Sequence, residues 1–401
     1  MNILFFVLSI IGSLYGLWFA AIAVLGSIKR NKPVPAAAPR YRFAVLVPAR
    51  NEEGVVGHLV RSLMNQEYPR ELYDVFVIPN GCTDDTAQVA MREGAKILEC
   101  TVPTKSKGDV LRFAFGRMSE EGGYDGYCIL DADNLAAPGF LRAANDMLCA
   151  GWQIAQGFRD SKNPSDSWVA GDTSVFFWFM NRFYNRARNA LGMSAALNGT
   201  GIVMTSELVD HLGWNVRSLT EDLEFSGLCA VNGVKIGFME AGVVYDEQPV
   251  RLIDSIVQRR RWTAGSIQCL RLYFKELLKR RSAQGLDMLC VFLGGVMQIV
   301  CMIPGIIGVI DVIMQIVSGK LGIMTVAGTA AASLAAAYCL CTLFAFLVCA
   351  LEKKLRARMI PSILMFPIFL VTWTIANIWA ILTPPPRWTQ ISHMRGIDLP
   401  E

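Results

Sequence analysis

A mostly parallel, doubly wound α/β domain set between apolar segments is the fold predicted by this 401-residue sequence, on three observations. From Arg42 to about residue 150, short apolar runs alternate with helical patterns, the signature of β-α-β units. Residues Asn2 to Ile28 carry no charge and the chain from Gly285 is again overwhelmingly apolar, while the section between holds nearly all the charged groups. Finally, the apolar run Tyr127-Cys128-Ile129-Leu130 reads as a buried strand and ends in two carboxylates, Asp131 and Asp133. In an open α/β sheet, ligands lie across the carboxyl ends of the strands.

Each element follows in turn. Hydrophobic residues make up 53% of the chain, and a mean hydropathy of +0.37 is too high for an ordinary soluble enzyme. Residues 1–32 form an N-terminal anchor. The run is longer than the apolar core of a signal peptide and lacks a basic start, and about 20 apolar residues span a bilayer. Lys29, Arg30 and Lys32 follow it, which places the next segment in the cytoplasm and the N-terminus outside. Strands are expected at Phe43–Val47, Val75–Ile78 and Ala95–Leu98, with helices at Val56–Met64, after Asp84-Asp85-Thr86 and at Lys107–Met118. A strand-like Gln153–Gly157 and a long aromatic helix near Phe176–Tyr184 belong to the half expected to hold an acceptor.

Three apolar segments follow at about Leu286–Val317, Ala327–Ala350 and Met359–Leu382, each long enough to cross a membrane. Pro304, Pro361 and Pro367 imply kinks or breaks in them, and a re-entrant last segment would leave the C-terminal tail cytoplasmic. Asp311 either faces a polar interior or marks an early end to its span. Lys353, Lys354, Arg356 and Arg358 mark a cytoplasmic loop. A formal charge of +4 is too small and dispersed for nucleic acid, and the eleven cysteines form no Cys-x-x-Cys pair, so neither zinc nor a disulfide framework is indicated.

Two acids at i and i+2 repel each other unless a cation sits between them. Mg²⁺-type ions take one or two carboxylates plus substrate phosphates, although Asp-x-Asp alone also describes a solvated turn. Pro48–Glu53 and Asn80–Asp84 sit just past the first two strands, where a nucleotide would lie; singly, each is a plain polar loop. Thr220-Glu221-Asp222 has the form of a capped helix start, Thr220 being the cap, with its acids favoured by the helix dipole. Gln258 to Trp262 places a donor, three guanidiniums and an indole within five residues. Beyond it, Ile267, Leu270, Phe274, Leu277 and Leu278 share one helical face, apart from Arg271, Lys275 and Lys279, as in a basic helix lying in a membrane interface.

Together and in this order, Asp131-Ala132-Asp133, Thr220-Glu221-Asp222 and Gln258-x-x-Arg261-Trp262 resemble the membrane-bound family 2 glycosyltransferases of GT-A fold, among them the cellulose, hyaluronan, chitin and poly-N-acetylglucosamine synthases. Asn198-Gly199-Thr200-Gly201 and Arg387–His393 match further. The resemblance implies a cytoplasmic GT-A domain over residues 42–262, an interfacial helix over 263–284, a bundle of about three transmembrane segments over 285–383 and a tail over 384–401. It implies that Asp131 and Asp133 hold Mg²⁺ or Mn²⁺ against a UDP diphosphate. Asp222 is implied as general base with Glu221 beside it in the catalytic motif. Asn51, Glu52, Asn80, Lys107, Asp131, Gln258 and Arg261 are implied as nucleotide-sugar contacts, and Trp262 as the acceptor platform. Asn80 departs from the family's usual Asp facing uracil, and no gating loop is evident after Trp262.

The resulting expectation is an inverting transfer of glucose or N-acetylglucosamine from a UDP-sugar to a growing β-linked polysaccharide, processive and coupled to export, in a multi-pass bacterial plasma-membrane protein. Accessory export or modification subunits are compatible with it. The rivals are a single-transfer lipid glycosyltransferase of the ceramide-glucosylating kind, with a glycolipid product, and a nucleotide-sugar-binding scaffold or transporter, for which the clustered acids have no use.

Overall fold

The computed structural model describes residues 2–29 and 31–385. Helix α1 (Asn2–Ile28) leads into an α/β domain of β1 (Phe43–Ala49), α2 (Val56–Met64), β2 (Tyr73–Pro79), α3 (Thr86–Arg92), β3 (Lys96–Ile97), α4 (Lys107–Glu121), β4 (Gly126–Ile129), β5 (Leu135–Ala136), α5 (Phe140–Cys149) and β6 (Ile154–Ser161). Next come α6 (Trp168–Phe179), a π-helical stretch over Met180–Arg186, α7 (Ala187–Ala190), β7 (Ile202–Thr205), α8 (Ser206–Leu212), α9 (Glu221–Asn232) and β8 (Gly237–Asp246). The described residues after β8 form helices: α10 (Leu252–Arg280), α11 (Ala283–Phe292), α12 (Gly294–Val317), α13 (Ile323–Leu351) and α14 (Ile360–Leu382).

Successive side chains of a strand point to opposite faces, and here both faces are buried. Phe43, Val45 and Val47 pack with Leu59 and Leu63 of α2 and with Phe140 and Leu141 of α5. Ala44 and Leu46 pack with Val110, Leu111 and Phe115 of α4 and Phe225 of α9. Helices therefore cover both sides of one eight-stranded sheet of order β3-β2-β1-β4-β7-β6-β8-β5. The expected parallel half is present, since β1 pairs in parallel with β2 and β4, and β2 with β3. Beyond β4 the sheet is mixed: β7 runs antiparallel to β4 and β6, and β5 antiparallel to β8, while β6 and β8 are parallel. Chain order reverses between β1 and β4, which opens a crevice at their carboxyl ends.

Among the described residues, four helices are long and apolar enough to cross a membrane: α1, α12, α13 and α14 with the turn before it. The single segment expected from Leu286 to Val317 is divided at Leu293, because Asp287 holds α11 to the α/β domain. Asp287 is buried, takes a two-pronged contact from Arg188 at 3.0 and 2.9 Å, and accepts from Trp18 Nε1 at 3.0 Å. The expected proline breaks do not occur. α12 runs through Pro304 and α14 through Pro367, while Pro361 stands in the first turn of α14, where its missing N–H costs nothing.

A second correction concerns α10, one helix of 29 residues that runs through the boundary expected between residues 262 and 263. Its expected apolar face is divided. Leu277 is buried with Cys269 against Ala230 of α9 and Met288 of α11, whereas Phe274 and Leu278 are exposed beside Leu272. The loop after α13 docks on the α/β domain, with Arg182 donating to Glu352 at 2.7 Å and Lys354 to Asp160 at 2.5 Å. Helix α14 lies along α10, with Arg259 donating to Thr372 Oγ1 at 3.0 Å and Arg260 to Thr383 Oγ1 at 2.9 Å. The tail stretch Arg387–His393 lies outside the described residues.

The linker before β1 is held by Asn145 of α5. Its Oδ1 accepts from the amides of Arg40 and Tyr41 at 2.9 and 3.3 Å and from the Tyr68 hydroxyl at 3.1 Å, while its Nδ2 donates to Ala38 O at 3.1 Å. Leaving buried polar groups without partners costs about 1–3 kcal/mol each. Asn145→Ala is expected to lower the melting temperature of the detergent-solubilised protein by several degrees, read by tryptophan fluorescence. A melt within about 1 °C of the wild type contradicts that role.

Candidate active site

A cleft of about 340 Å³ opens at the carboxyl ends of β1, β2 and β4 and is closed on its far side by α6, α9 and α10. Of the residues singled out from the sequence, Glu52, Asn80, Lys107, Asp131, Asp133, Glu221, Asp222, Gln258, Arg261 and Trp262 all line it. Asn51 is not among the lining residues. It adopts a left-handed backbone (φ 53°) and its Oδ1 accepts from the Thr83 amide at 2.8 Å, which laces the loop after β1 to the loop after β2. Further links run from Glu52 N to Thr86 Oγ1 at 2.8 Å and from Asp85 N to Glu53 Oε2 at 2.9 Å. Both loops are thus held as one wall. On that wall Asn80 Oδ1 accepts from the Thr104 hydroxyl at 2.6 Å, which orients its amide.

Asp131 and Asp133 sit where β4 ends. The Asp131 amide donates to Thr200 Oγ1 at 3.1 Å and to Asn134 Oδ1 at 3.2 Å, and Asn134 Nδ2 donates to Asp133 Oδ1 at 3.1 Å and to Asp246 Oδ1 at 2.8 Å. The Lys107 ammonium, at the first turn of α4, contacts Asp131 Oδ1, stands 3.5 Å from Glu221 Oε1 and donates to Gly199 O at 2.6 Å. Burial alone would lower the Lys107 pKa, but the Asp131 and Glu221 carboxylates outweigh it and raise it, so the group stays charged. Among the described residues no three acidic, histidine or cysteine side chains gather as a metal cage. Two carboxylates beside an open cleft suit a hard divalent ion that completes its shell with water and substrate phosphate.

Asp222 lies on the facing wall, in the first turn of α9. Burial first, and the neighbouring Glu221 carboxylate second, push its pKa up to about 7, against the lowering effects of the Leu223 amide, Lys107 and Arg159. A carboxylate poised near neutrality suits a general base. The expected Thr220 side-chain cap is absent: Thr220 occupies the cap position, but its hydroxyl makes no cap hydrogen bond. It stands against α10, where a Cβ on Gly265 would come within 2.3 Å of Thr220 Oγ1. α10 supports this loop further, since Gln268 Oε1 accepts from Leu219 N at 2.9 Å. Glu224 ties the loop from within by accepting from Arg217 N at 2.7 Å and Ser218 N at 2.5 Å.

Gln258, Arg261 and Trp262 stand at i, i+3 and i+4 on α10 and so share one helical face. Gln258 Oε1 and Arg261 Nε are buried without a protein hydrogen-bond partner at the cleft wall. Trp262 is one ring of an aromatic cluster, 6.2 Å from Phe176, 6.0 Å from Phe177 and 6.2 Å from Trp373 of α14. Arg159 and Asp246 are cleft residues that sequence reasoning missed. Arg159 donates through Nε to Asp246 Oδ2 at 2.9 Å and through Nη1 to Asn198 O at 2.7 Å, and its guanidinium lies 3.8 Å from the Phe177 ring centre. Their only signal was a charged residue on each of two strands distant in sequence.

Comparison with known proteins agrees with this geometry. Residues 39–265 match the family described as glycosyltransferase like family 2. A beta-monoglucosyldiacylglycerol synthase of Nostoc sp. is 26% identical over 258 residues, covering 59% of this chain and 52% of that protein. A probable glycosyltransferase of Bacillus subtilis, YdaM, is 24% identical over 256 residues, covering 60% and 59%. The chain spans about half the length of the curated relatives it matches. A Pyrobaculum calidifontis mannosyltransferase, solved in complex with GDP-Man and Mn²⁺, shares the fold with a TM-score of 0.58 at 17% identity, over 93% of this chain and 99% of that one. On the match over 39–265, which carries the cleft, the chain belongs to glycosyltransferase family 2.

Proposed function

We propose that the protein is an inverting glycosyltransferase that moves a hexose or N-acetylhexosamine from a UDP-sugar to the hydroxyl of a membrane lipid in a single transfer. The observation that carries this is the far wall of the cleft, where Phe176, Phe177 and Trp262 pack against Trp373 of the apolar helix α14. An acceptor reaching Asp222 along that wall comes past membrane-seated rings. The resemblance of residues 39–265 to a synthase named for a glucosylated diacylglycerol accords with it. Extrusion of a polysaccharide, the first expectation, needs a polar passage. Polar side chains between the C-terminal helices instead bond one another, Thr263 to Asn377 at 2.5 Å, Asn377 to Gln298 at 2.5 Å and Gln298 to Thr374 at 3.0 Å.

In this reading Asp222 takes the acceptor proton as the acceptor oxygen attacks the anomeric carbon. The bond from that carbon to the diphosphate breaks, UDP leaves with the electron pair, and one displacement inverts the centre. A Mg²⁺ or Mn²⁺ ion held by Asp131 and Asp133 would supply positive charge against the departing diphosphate. Arg261 and Gln258 contact the diphosphate, a guanidinium fork being suited to phosphate oxygens. Lys107 holds Asp131 and Glu221 in place, and Trp262 offers its face to the acceptor.

We further propose three crossings, by α1, α12 and α13, with α14 lying along the membrane face of the α/β domain. Both ends of α14 are near that domain's elements: Ser362 abuts Gly171, and Thr383 bonds to Arg260, one residue from the cleft residue Arg261. An outside N-terminus and three crossings put the C-terminus on the catalytic side, in the cytoplasm. A C-terminal green fluorescent protein fusion is then expected to fluoresce, and an alkaline phosphatase fusion to be inactive. The reverse pattern refutes the topology.

Because a base acts only when deprotonated, kcat/KM should fall as pH drops through about 7. Asp222→Asn should lose about 10²–10⁴-fold in transfer and the acid limb with it. A variant that keeps near-normal turnover while folded refutes the assignment of the base. Gly265→Val should push Thr220 away from α10 and lower kcat with little change in donor KM. Equal kcat in that variant contradicts the support assigned to α10.

A further inference from the structure

A second concavity, a groove of about 680 Å³, lies between α13, the loop that follows it and α14. It shares no residue with the cleft. Tyr338, Thr342 and Phe346 recur every fourth residue on α13 and so line it from one helical face. Ile360 and Leu364 line it from α14, and the Tyr338 hydroxyl donates to Leu364 O at 2.7 Å, which pins the two helices together beside it. Its walls are mainly hydrocarbon. Two polar groups interrupt them without a protein partner among the described residues: Thr342 Oγ1, which is buried, and the exposed side chain of Arg356.

Charge gathers at this rim. Of the charged residues between α13 and α14, Glu352 accepts from Arg182 and Lys354 bonds Asp160, and these contacts hold the loop to the α/β domain. Lys353, Arg356 and Arg358 are exposed and form no ion pair among the described residues. Height fits as well. α13 has 29 residues, about 43 Å at 1.5 Å per residue, against a hydrocarbon core of about 30 Å. Its C-terminal turns therefore reach head-group level on the side of the α/β domain, and the groove lies in that half of the helix. Anionic lipids attract basic segments at this depth.

We propose that this groove is a binding site for one anionic glycerophospholipid, separate from the cleft. An acyl chain covers the apolar walls, an ester carbonyl accepts from Thr342 and the phosphate accepts from Arg356, with Lys353 and Arg358 adding to the field. A free phosphate would leave the apolar walls bare, and an apolar helix of another chain would leave Arg356 without a counter-charge. The inference does not depend on which acceptor the cleft takes.

Native mass spectrometry of the purified full chain tests it, after incubation in detergent with equal amounts of dioleoyl phosphatidylglycerol and dioleoyl phosphatidylcholine. Expected is one phosphatidylglycerol retained per chain, favoured at least about tenfold over phosphatidylcholine, the scale of two or three cations near a membrane surface. Arg356→Gln should cut that preference at least about fivefold. Cys339→Trp, which puts a ring into the groove while leaving every cation in place, should abolish retention of that lipid, and Leu343→Trp repeats the test from the next turn. A melt read by tryptophan fluorescence shows that each variant is folded. Equal retention of the two lipids, or a graded series with no favoured stoichiometry, overturns the proposal. A preference unchanged in folded Arg356→Gln overturns the phosphate contact, and retention unchanged in both folded tryptophan variants overturns the groove.

Discussion

The Lys107 ammonium is the contact on which the cleft depends. Three carboxylates, Asp131, Glu221 and Asp222, act on it from two walls that are distant in sequence. Like charges a few ångströms apart in a partly desolvated site repel one another, and one half-buried cation that touches Asp131 and approaches Glu221 offsets that repulsion. Its third contact, to Gly199 O, brings in the 198–201 loop, whose Thr200 hydroxyl steadies the Asp131 amide. One side chain from the start of α4 thus joins the wall at the end of β4, the wall at the start of α9 and the 198–201 loop between them. Burial and the Glu221 carboxylate hold the Asp222 pKa up at about 7, against the lowering effects of the Leu223 amide, Lys107 and Arg159.

A second constraint comes from α10. Its first half carries Gln258, Arg261 and Trp262 into the cleft, its middle holds the 217–224 loop through Gly265 and Gln268, and its last turns leave Leu272, Phe274 and Leu278 exposed beside basic residues. A continuous helix transmits position along its length without a hinge. The helix whose last turns expose apolar side chains is therefore also the one that braces the 217–224 loop, and α14 packed along it adds stiffness through Arg259 and Thr263. The proposed transfer to a membrane lipid needs such a link, since the proposed base, Asp222, must stand at a fixed depth relative to the acceptor's head group.

Much of this was legible in the chain. β1, α2, β2 and α4 followed from short apolar runs alternating with helical patterns, and the family resemblance carried by the three motifs named the residues that line the cleft. What was not legible depended on tertiary context. Thr220 has the letters of a cap, yet α10 presses on it and its hydroxyl turns elsewhere. Asn51 has the letters of a ligand contact, but it is not among the cleft-lining residues and its Oδ1 accepts from the Thr83 amide. The apolar segment from Leu286 looked unbroken, because the partner of Asp287 is Arg188, 99 residues away. The antiparallel half of the sheet was equally hidden, since a strand buried on both faces reads alike in either direction.

The central claim is a division of labour: Asp131 and Asp133 serve the metal and diphosphate, and Asp222 serves the acceptor. Calorimetric titration of UDP into the purified protein, with Mn²⁺ and with chelator, tests it directly on the wild type, Asp133→Asn and Asp222→Asn. The account predicts UDP binding that requires Mn²⁺ in the wild type, is lost in Asp133→Asn and is preserved in Asp222→Asn. Metal-independent UDP binding that survives in Asp133→Asn, or loss of binding in a folded Asp222→Asn, would contradict it.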